Sequence, residues 1–141
     1  MPLPRQACQN TSVILVRLFV YGTLKRGFSN QERLRGATFE REASTAAGHA
    51  LHSAGAYPAL ARTGAGVVHG EVYWLSPEHL AEIDEFEGCP HLYQRGEIAL
   101  EDGTRAAAYL VSGERASTYP LIPGGIWTEA ADRGPILAQT V

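Results

Sequence analysis

Short apolar runs separated by turn residues mark most of this chain, and one segment changes to a helical period. Val13–Val20 is an almost unbroken apolar run rich in β-branched residues, which predicts a mostly buried strand. His69–Leu75, Leu92–Leu100 and Thr104–Val111 read as further strands, the last two joined at Glu101-Asp102-Gly103 by the Asp-Gly signal of a tight hairpin. Residues 37–53 predict one or two strands, Tyr57-Pro58 starts another short extended piece, and Gly64-Ala65-Gly66 reads as a turn. Ser76-Pro77 is an N-cap followed by proline at the first helical position, so a helix is expected to about Phe86 or Glu87, stopped by Gly88. Ser29-Asn30-Gln31-Glu32 has capping-box form and predicts a second short helix through about Arg35. Residues 1–12 read as a loose tail, and residues 13–141 as a single domain. From Tyr119 the prolines and glycines before Trp127 predict an extended cover with a docked tryptophan. Six or seven strands with two short helices make the fold α+β or a mixed-sheet barrel.

Within Leu80–Gly88 one carboxylate interrupts the apolar stripe. At 100° per residue from Leu80, Ile83 falls at about 300° and Glu87 at about 340°, whereas Glu82 and Glu85, at about 200° and 140°, face solvent. Three effects would then raise the Glu87 pKa: burial against Leu80 and Ile83, the negative helix C-terminus, and the like charge of Asp84 at about 40°. A carboxyl poised nearer neutrality suits general acid–base chemistry. The competing reading ends the helix one residue early and turns Glu87 to water.

Tyr21-Gly22-Thr23-Leu24-Lys25-Arg26-Gly27 follows the first strand. Two glycines there point to close backbone approach or positive φ, and successive N–H groups in such a loop can form an anion-binding concavity. An ordinary glycine turn fits the same residues. His49 and His52 would face opposite sides of a strand and are not read as a metal pair.

Composition narrows the function classes. The 141 residues are 45% hydrophobic, enough for a core, and the net charge of −3 with no basic run argues against a nucleic-acid footprint. No stretch approaches the ~20 apolar residues of a membrane helix, and Val13–Val20 makes a poor signal-peptide core. Cys8 and Cys89 are too few for a disulfide framework or a zinc site. The expectation is a cytoplasmic protein with neither nucleic acid nor membrane as partner.

Taken together, Tyr21-Gly22-Thr23-Leu24-Lys25-Arg26-Gly27 and Asp84-Glu85-Phe86-Glu87-Gly88-Cys89-Pro90 with Leu92-Tyr93-Gln94-Arg95 resemble the two signatures of the gamma-glutamylcyclotransferase-like superfamily. The likeness runs from about Leu18 to Val111. It is strongest to the gamma-glutamylaminecyclotransferase branch and its bacterial relatives, and Tyr57-Pro58, Gly70-Glu71-Val72-Tyr73 and Tyr109 fall in the expected order. Residues 1–12 have no counterpart, and the Tyr119–Trp127 ending looks like that of the bacterial relatives.

The resemblance implies a compact mixed-sheet β-barrel with two short flanking helices and a cavity between the loop and the acidic helix. By the same resemblance Glu87 is the catalytic residue, Tyr21, Gly22, Thr23 and Leu24 hold a small γ-glutamyl substrate, and Tyr57, Tyr93 and Tyr109 are pocket or supporting residues. The implied reaction needs no metal or organic cofactor: the substrate's α-amine attacks its own γ-carbonyl, forming 5-oxoproline and expelling an amine. Three alternatives share these residues: a non-catalytic small-molecule-binding protein, an enzyme removing a γ-glutamyl protecting group in a biosynthetic pathway, and a structural or interaction protein.

Overall fold

Alternate side chains of one central strand feed two separate cores. In the computed structural model, which describes residues 14–128 and 130–131, Leu18 and Val20 join one apolar cluster while Phe19 joins another. All three are essentially inaccessible to solvent. Such a strand must have a covered surface on each side.

The strands are β1 (Val16–Val20), β2 (Thr38–Ser44), β3 (His49–Ser53), β4 (Pro58–Gly66), β5 (His69–Leu75), β6 (Gln94–Ala99) and β7 (Arg105–Leu110). The helices are α1 (Pro77–Phe86) and a single turn, α2 (Gly113–Ala116). The sheet runs β2-β5-β1-β7-β4-β3, and β6 pairs with β7 outside this path. β1 and β4 are both parallel to β7, and the remaining pairs are antiparallel. Leu80 and Ile83 of α1 join the first cluster with Leu18, Tyr73 and Tyr109. Trp127 enters the second with Phe19, Leu60, Val72 and Leu110, as expected of a docked tryptophan.

The α+β mixed sheet agrees with expectation, but among the described residues it does not close into a barrel. β2 and β3 end the path, and two isolated bridges stand where further pairing would be: Thr45–Leu100 near the end of β2, and His52–Leu121, which lays the tail on β3. Glycines 64 and 66 do not form a free turn. They belong to β4, whose register against β3 jumps between His49–Gly66 and Ala50–Ala61, so the intervening residues bulge. The helix expected through Arg35 is instead a 3-10 turn at Gln31–Leu34 without a side-chain cap. The two middle residues of the expected capping box serve the preceding loop: Gln31 Oε1 accepts the Gly27 N–H at 2.6 Å, and Asn30 Nδ2 donates to Thr23 Oγ1 at 3.0 Å. By contrast α1 begins as expected, with Ser76 Oγ accepting the His79 N–H at 3.0 Å and Pro77 in the first turn. The tail expected over residues 1–12 lies outside the described residues. Among those described, no helix is long and apolar enough to cross a membrane.

Gly70 marks the tightest point of the β1–β5 contact. A Cβ there would lie 2.2 Å from the Val20 carbonyl oxygen and 2.8 Å from the Phe19 ring. Backbone cannot yield as a flexible side chain does, so Gly70→Ala is expected to destabilise the fold by about 2 kcal/mol or more. Urea unfolding of the two proteins measures this directly.

Candidate active site

β1 and β4 use the same strand in succession. Leu18 of β1 pairs with Ala107 of β7, and Leu60 of β4 pairs with Leu110, three residues further along. Where β1 leaves and β4 enters, the Tyr109 carbonyl accepts the Tyr21 hydroxyl at 2.6 Å. A side chain thus satisfies a buried backbone acceptor at the change of partner. A cavity of about 410 Å³ opens here, within the usual range for small-molecule sites.

All eight residues singled out from the sequence line this one cavity: Tyr21, Gly22, Thr23, Leu24, Tyr57, Glu87, Tyr93 and Tyr109. Gly22 is required by close approach, because a Cβ there would lie 2.4 Å from Pro58 Cγ. Gly27 supplies the positive φ, at +85°. The loop is fixed from several sides. Lys25 N–H donates to Gly22 O at 3.0 Å, Asn30 N–H to Thr23 O at 2.8 Å, and Arg26 N–H to the buried Glu71 carboxylate at 3.0 Å. Lys25 Nζ donates to the Trp127 carbonyl at 2.9 Å and lies over the Phe28 ring. Among the described residues, no group accepts the N–H of Gly22, Thr23 or Leu24. Three consecutive donors therefore stand available at the cavity wall, the arrangement that binds anionic oxygen.

The tyrosines have the opposite polarity. Tyr93 donates its hydroxyl to Pro58 O, Tyr109 to Asp84 Oδ1 and Tyr21 to Tyr109 O, each at 2.6 Å. A phenol has one proton to give, so what these oxygens retain is lone-pair capacity. Burial raises all three pKa values, with the Asp84 hydrogen bond adding to the effect at Tyr109 and the Tyr93 and Glu87 charges at Tyr21. The cavity thus combines backbone donors with phenolic acceptors.

Glu87 caps the C-terminus of α1, its N–H bonded to Ile83 O at 2.8 Å. Its side chain is partly buried at the cavity, and burial lifts its pKa from the ordinary 4.5 to about 7. The direction agrees with the phase of the helix, but the expected Asp84 contribution does not arise. Arg95 grips Asp84 with Nε and Nη2 at 2.8 and 3.0 Å, while Tyr109 donates to it as well. Asp84 is therefore a neutralised anchor for Tyr109. Spacing alone could not reveal this pair, whose members stand on α1 and β6.

Sequence reasoning missed Phe19, Phe86 and Leu92 as lining residues, and Pro58 as the wedge against Gly22. Gly88 at φ +72° ends α1 as expected, and its bare Cα seats the Leu92 side chain, which a Cβ would meet at 2.9 Å. His49 and His52 bond through Nδ1 to different carbonyls, Ala46 and Tyr119. Among the described residues no group of three or more His, Cys, Asp or Glu side chains forms a metal site.

Residues 18–129 match the family described as gamma-glutamyl cyclotransferase, AIG2-like. The chain is 37% identical over 112 residues to a putative gamma-glutamylcyclotransferase of Vibrio cholerae, covering 79% of this chain and 95% of the relative. It is 41% identical over 87 residues to human gamma-glutamylaminecyclotransferase, covering 55% of this chain and 57% of that one. Over 75 residues it is 36% identical to the gamma-L-glutamyl-butirosin B gamma-glutamyl cyclotransferase of Niallia circulans, covering 53% and 47%. Among solved structures it superposes on an AIG2-like protein of Mus musculus with a TM-score of 0.67 at 25% identity, covering 82% of this chain and 95% of the other.

The raised Glu87 pKa carries a stability consequence. Below about pH 4.5 the carboxyl is neutral in folded and unfolded chains alike, so it imposes no penalty. Between about pH 4.5 and 7 the unfolded chain ionises while the folded carboxyl stays protonated, so the folded state is progressively disfavoured, and above 7 the penalty is constant. The displacement from 4.5 to about 7 corresponds to roughly 3 kcal/mol. Glu87→Gln is therefore expected to stabilise the protein by about 2–3 kcal/mol at pH 8 and by almost nothing at pH 4. Urea midpoints at the two pH values measure the difference.

Proposed function

The chain belongs to the AIG2-like gamma-glutamyl cyclotransferase family, and we propose from that membership that it releases 5-oxoproline from γ-glutamyl amines, with Glu87 as general base and acid. One observation carries the assignment to Glu87: a carboxyl with a pKa of about 7 lines the same cavity as the donor-bearing Gly22–Leu24 loop.

The chemistry is intramolecular. The α-nitrogen of the substrate attacks its γ-carbonyl carbon, an N–C bond closes the five-membered ring, and the original amide C–N bond breaks. Glu87 takes one proton from the α-ammonium to free its lone pair and returns it to the departing nitrogen; the second proton lost as the ring amide forms also ends on that amine, which leaves as an ammonium, so no water is consumed. Since both reacting groups belong to one molecule, the protein's main task is to hold it folded for attack. The N–H groups of Gly22, Thr23 and Leu24 suit the α-carboxylate or the developing oxyanion. The lone pairs of Tyr21, Tyr93 and Tyr109 suit the N–H bonds of the α-ammonium. Tyr57 and Tyr93, with ring centroids 6.2 Å apart, wall one side. A carboxyl near neutrality can accept a proton in one half of the reaction and return it in the other, as an ordinary carboxyl with a pKa near 4 does poorly.

Glu87→Gln is expected to retain substrate binding and lower 5-oxoproline release by at least about 10²-fold, read by mass detection of the product. In the unaltered protein kcat/KM should fall as pH drops through about 7, since the attack requires the carboxylate. Release at the original rate by Glu87→Gln would refute the role of Glu87. Saturable binding with no product from the unaltered protein would favour the binding-only reading.

A further inference from the structure

Tyr21, Tyr93 and Tyr109 line the cavity with their protons already given away, but to two kinds of acceptor. Tyr21 and Tyr93 donate to main-chain carbonyls, those of Tyr109 and Pro58. Tyr109 donates instead to a carboxylate oxygen, Asp84 Oδ1, at 2.6 Å. A carbonyl is held by its backbone, whereas a side-chain carboxylate keeps its place only if something fixes it.

Arg95 fixes it. Its Nε donates to the same Oδ1 at 2.8 Å and its Nη2 to Oδ2 at 3.0 Å, a fork that sets the plane of the carboxylate as well as its position. Arg95 and Tyr109 are register partners across β6 and β7, so their side chains stand side by side on one face of the sheet. The main chain of Asp84 is pinned as well, its carbonyl accepting the Cys89 N–H at 3.0 Å. Three elements thus converge on one carboxylate that is not itself among the residues lining the cavity.

The effect falls on Tyr109. A carboxylate has no proton to give back, so the phenol donates towards Asp84 and its oxygen can only accept on the remaining side. A charged acceptor also polarises the O–H bond, which makes this oxygen a better acceptor than a phenol bonded to a neutral carbonyl. A cationic group with several N–H bonds is its complement. The same commitment bars Tyr109 from protonating a departing nitrogen, so proton transfer stays with Glu87, at the C-cap of the same helix.

We infer that Asp84, held by Arg95, is a positioning residue that makes Tyr109 the principal anchor of the substrate's α-ammonium. The inference rests on the cyclotransferase reading above and deepens it: of these three phenols, Tyr109 alone owes its polarity to a charge, and that charge stands one hydrogen bond behind the cavity wall.

Two ligands that differ in one group test this on the full chain. γ-Glutamyl-n-butylamide carries the α-amine and N-butylglutaramate lacks it, the rest being identical. Calorimetric binding is read in Glu87→Gln, where no turnover intervenes, and the glutamyl compound is expected to bind at least about tenfold more tightly. Adding Asp84→Ala should remove most of that preference while the affinity for N-butylglutaramate stays unchanged. In a Tyr109→Phe background the same substitution should alter the preference no further, because the carboxylate acts through the phenol. Arg95→Ala should lower the preference too, and Arg95→Lys, a cation without the fork, should restore only part of it. An undiminished preference in Asp84→Ala, or an effect that adds to that of Tyr109→Phe, overturns the inference. Should Asp84→Ala lose both ligands, Asp84→Asn decides, since it keeps the shape and one acceptor oxygen without the charge. A full preference in Asp84→Asn then overturns the inference, and a reduced one upholds it. A full preference in Arg95→Ala overturns the part given to Arg95. A preference governed by Asp84 without 5-oxoproline from the unaltered protein would refute the reaction and leave the anchor standing.

Discussion

The structure depends on how one edge of β7 is shared. β1 takes the edge at Ala107 and β4 takes it at Leu110, so hydrogen bonding must pass from one strand to the other within three residues. A carbonyl at such a handover would be left unpaired in a buried place, a loss of about 1–3 kcal/mol. The Tyr21 hydroxyl removes that penalty by donating to Tyr109 O. Because β1 has to leave the sheet there, its continuation becomes a loop rather than more strand. The room between that loop and the start of β4 is the cavity, and α1 closes it with Glu87 at its C-terminal cap. The handover, the loop and the position of the carboxyl are one geometric consequence.

The loop is rigid because its fastenings are distributed. Glu71 holds Arg26, Asn30 holds Thr23 and Pro58 packs against Gly22, so no single side chain carries the conformation. Rigidity matters for donors that are to meet charge, since groups already oriented need no reorganisation when the charge arrives. The phenols of Tyr21, Tyr93 and Tyr109 are equally fixed, each with its proton committed to a protein oxygen. The site is thus organised before any ligand enters, apart from the proton on Glu87.

Much of this was legible from the sequence, for identifiable reasons. The strand over His69–Leu75 and the helix from Pro77 follow from period and capping, both local properties of consecutive residues. The phase of α1 singled out Glu87 among neighbouring acids because a helix converts spacing into direction. What spacing could not supply was the partner of Asp84. Its charge is quenched by Arg95 from β6, a contact set by the packing of the sheet, so burial alone was left to act on Glu87. The Ser29–Glu32 segment misled for a related reason. The pattern Ser29-x-x-Glu32 is local, but the residues between, Asn30 and Gln31, turn to the glycine loop, where open N–H and hydroxyl partners hold the segment in a tighter turn. The open sheet and the β4 bulge likewise depend on which strands meet, and no local pattern encodes that.

The bond from Lys25 to the Trp127 carbonyl ties two points 102 residues apart in sequence. Trp127 is also buried in the core beside Phe19. On a ribosome, which delivers the chain from its N-terminus at roughly 5–20 residues per second, the glycine loop emerges seconds before the segment that fastens it. Ligand-binding geometry therefore cannot mature gradually along the growing polypeptide. It is completed as one of the last steps of assembly, and a chain cut short before Trp127 would retain its motifs while lacking the clasp that sets them.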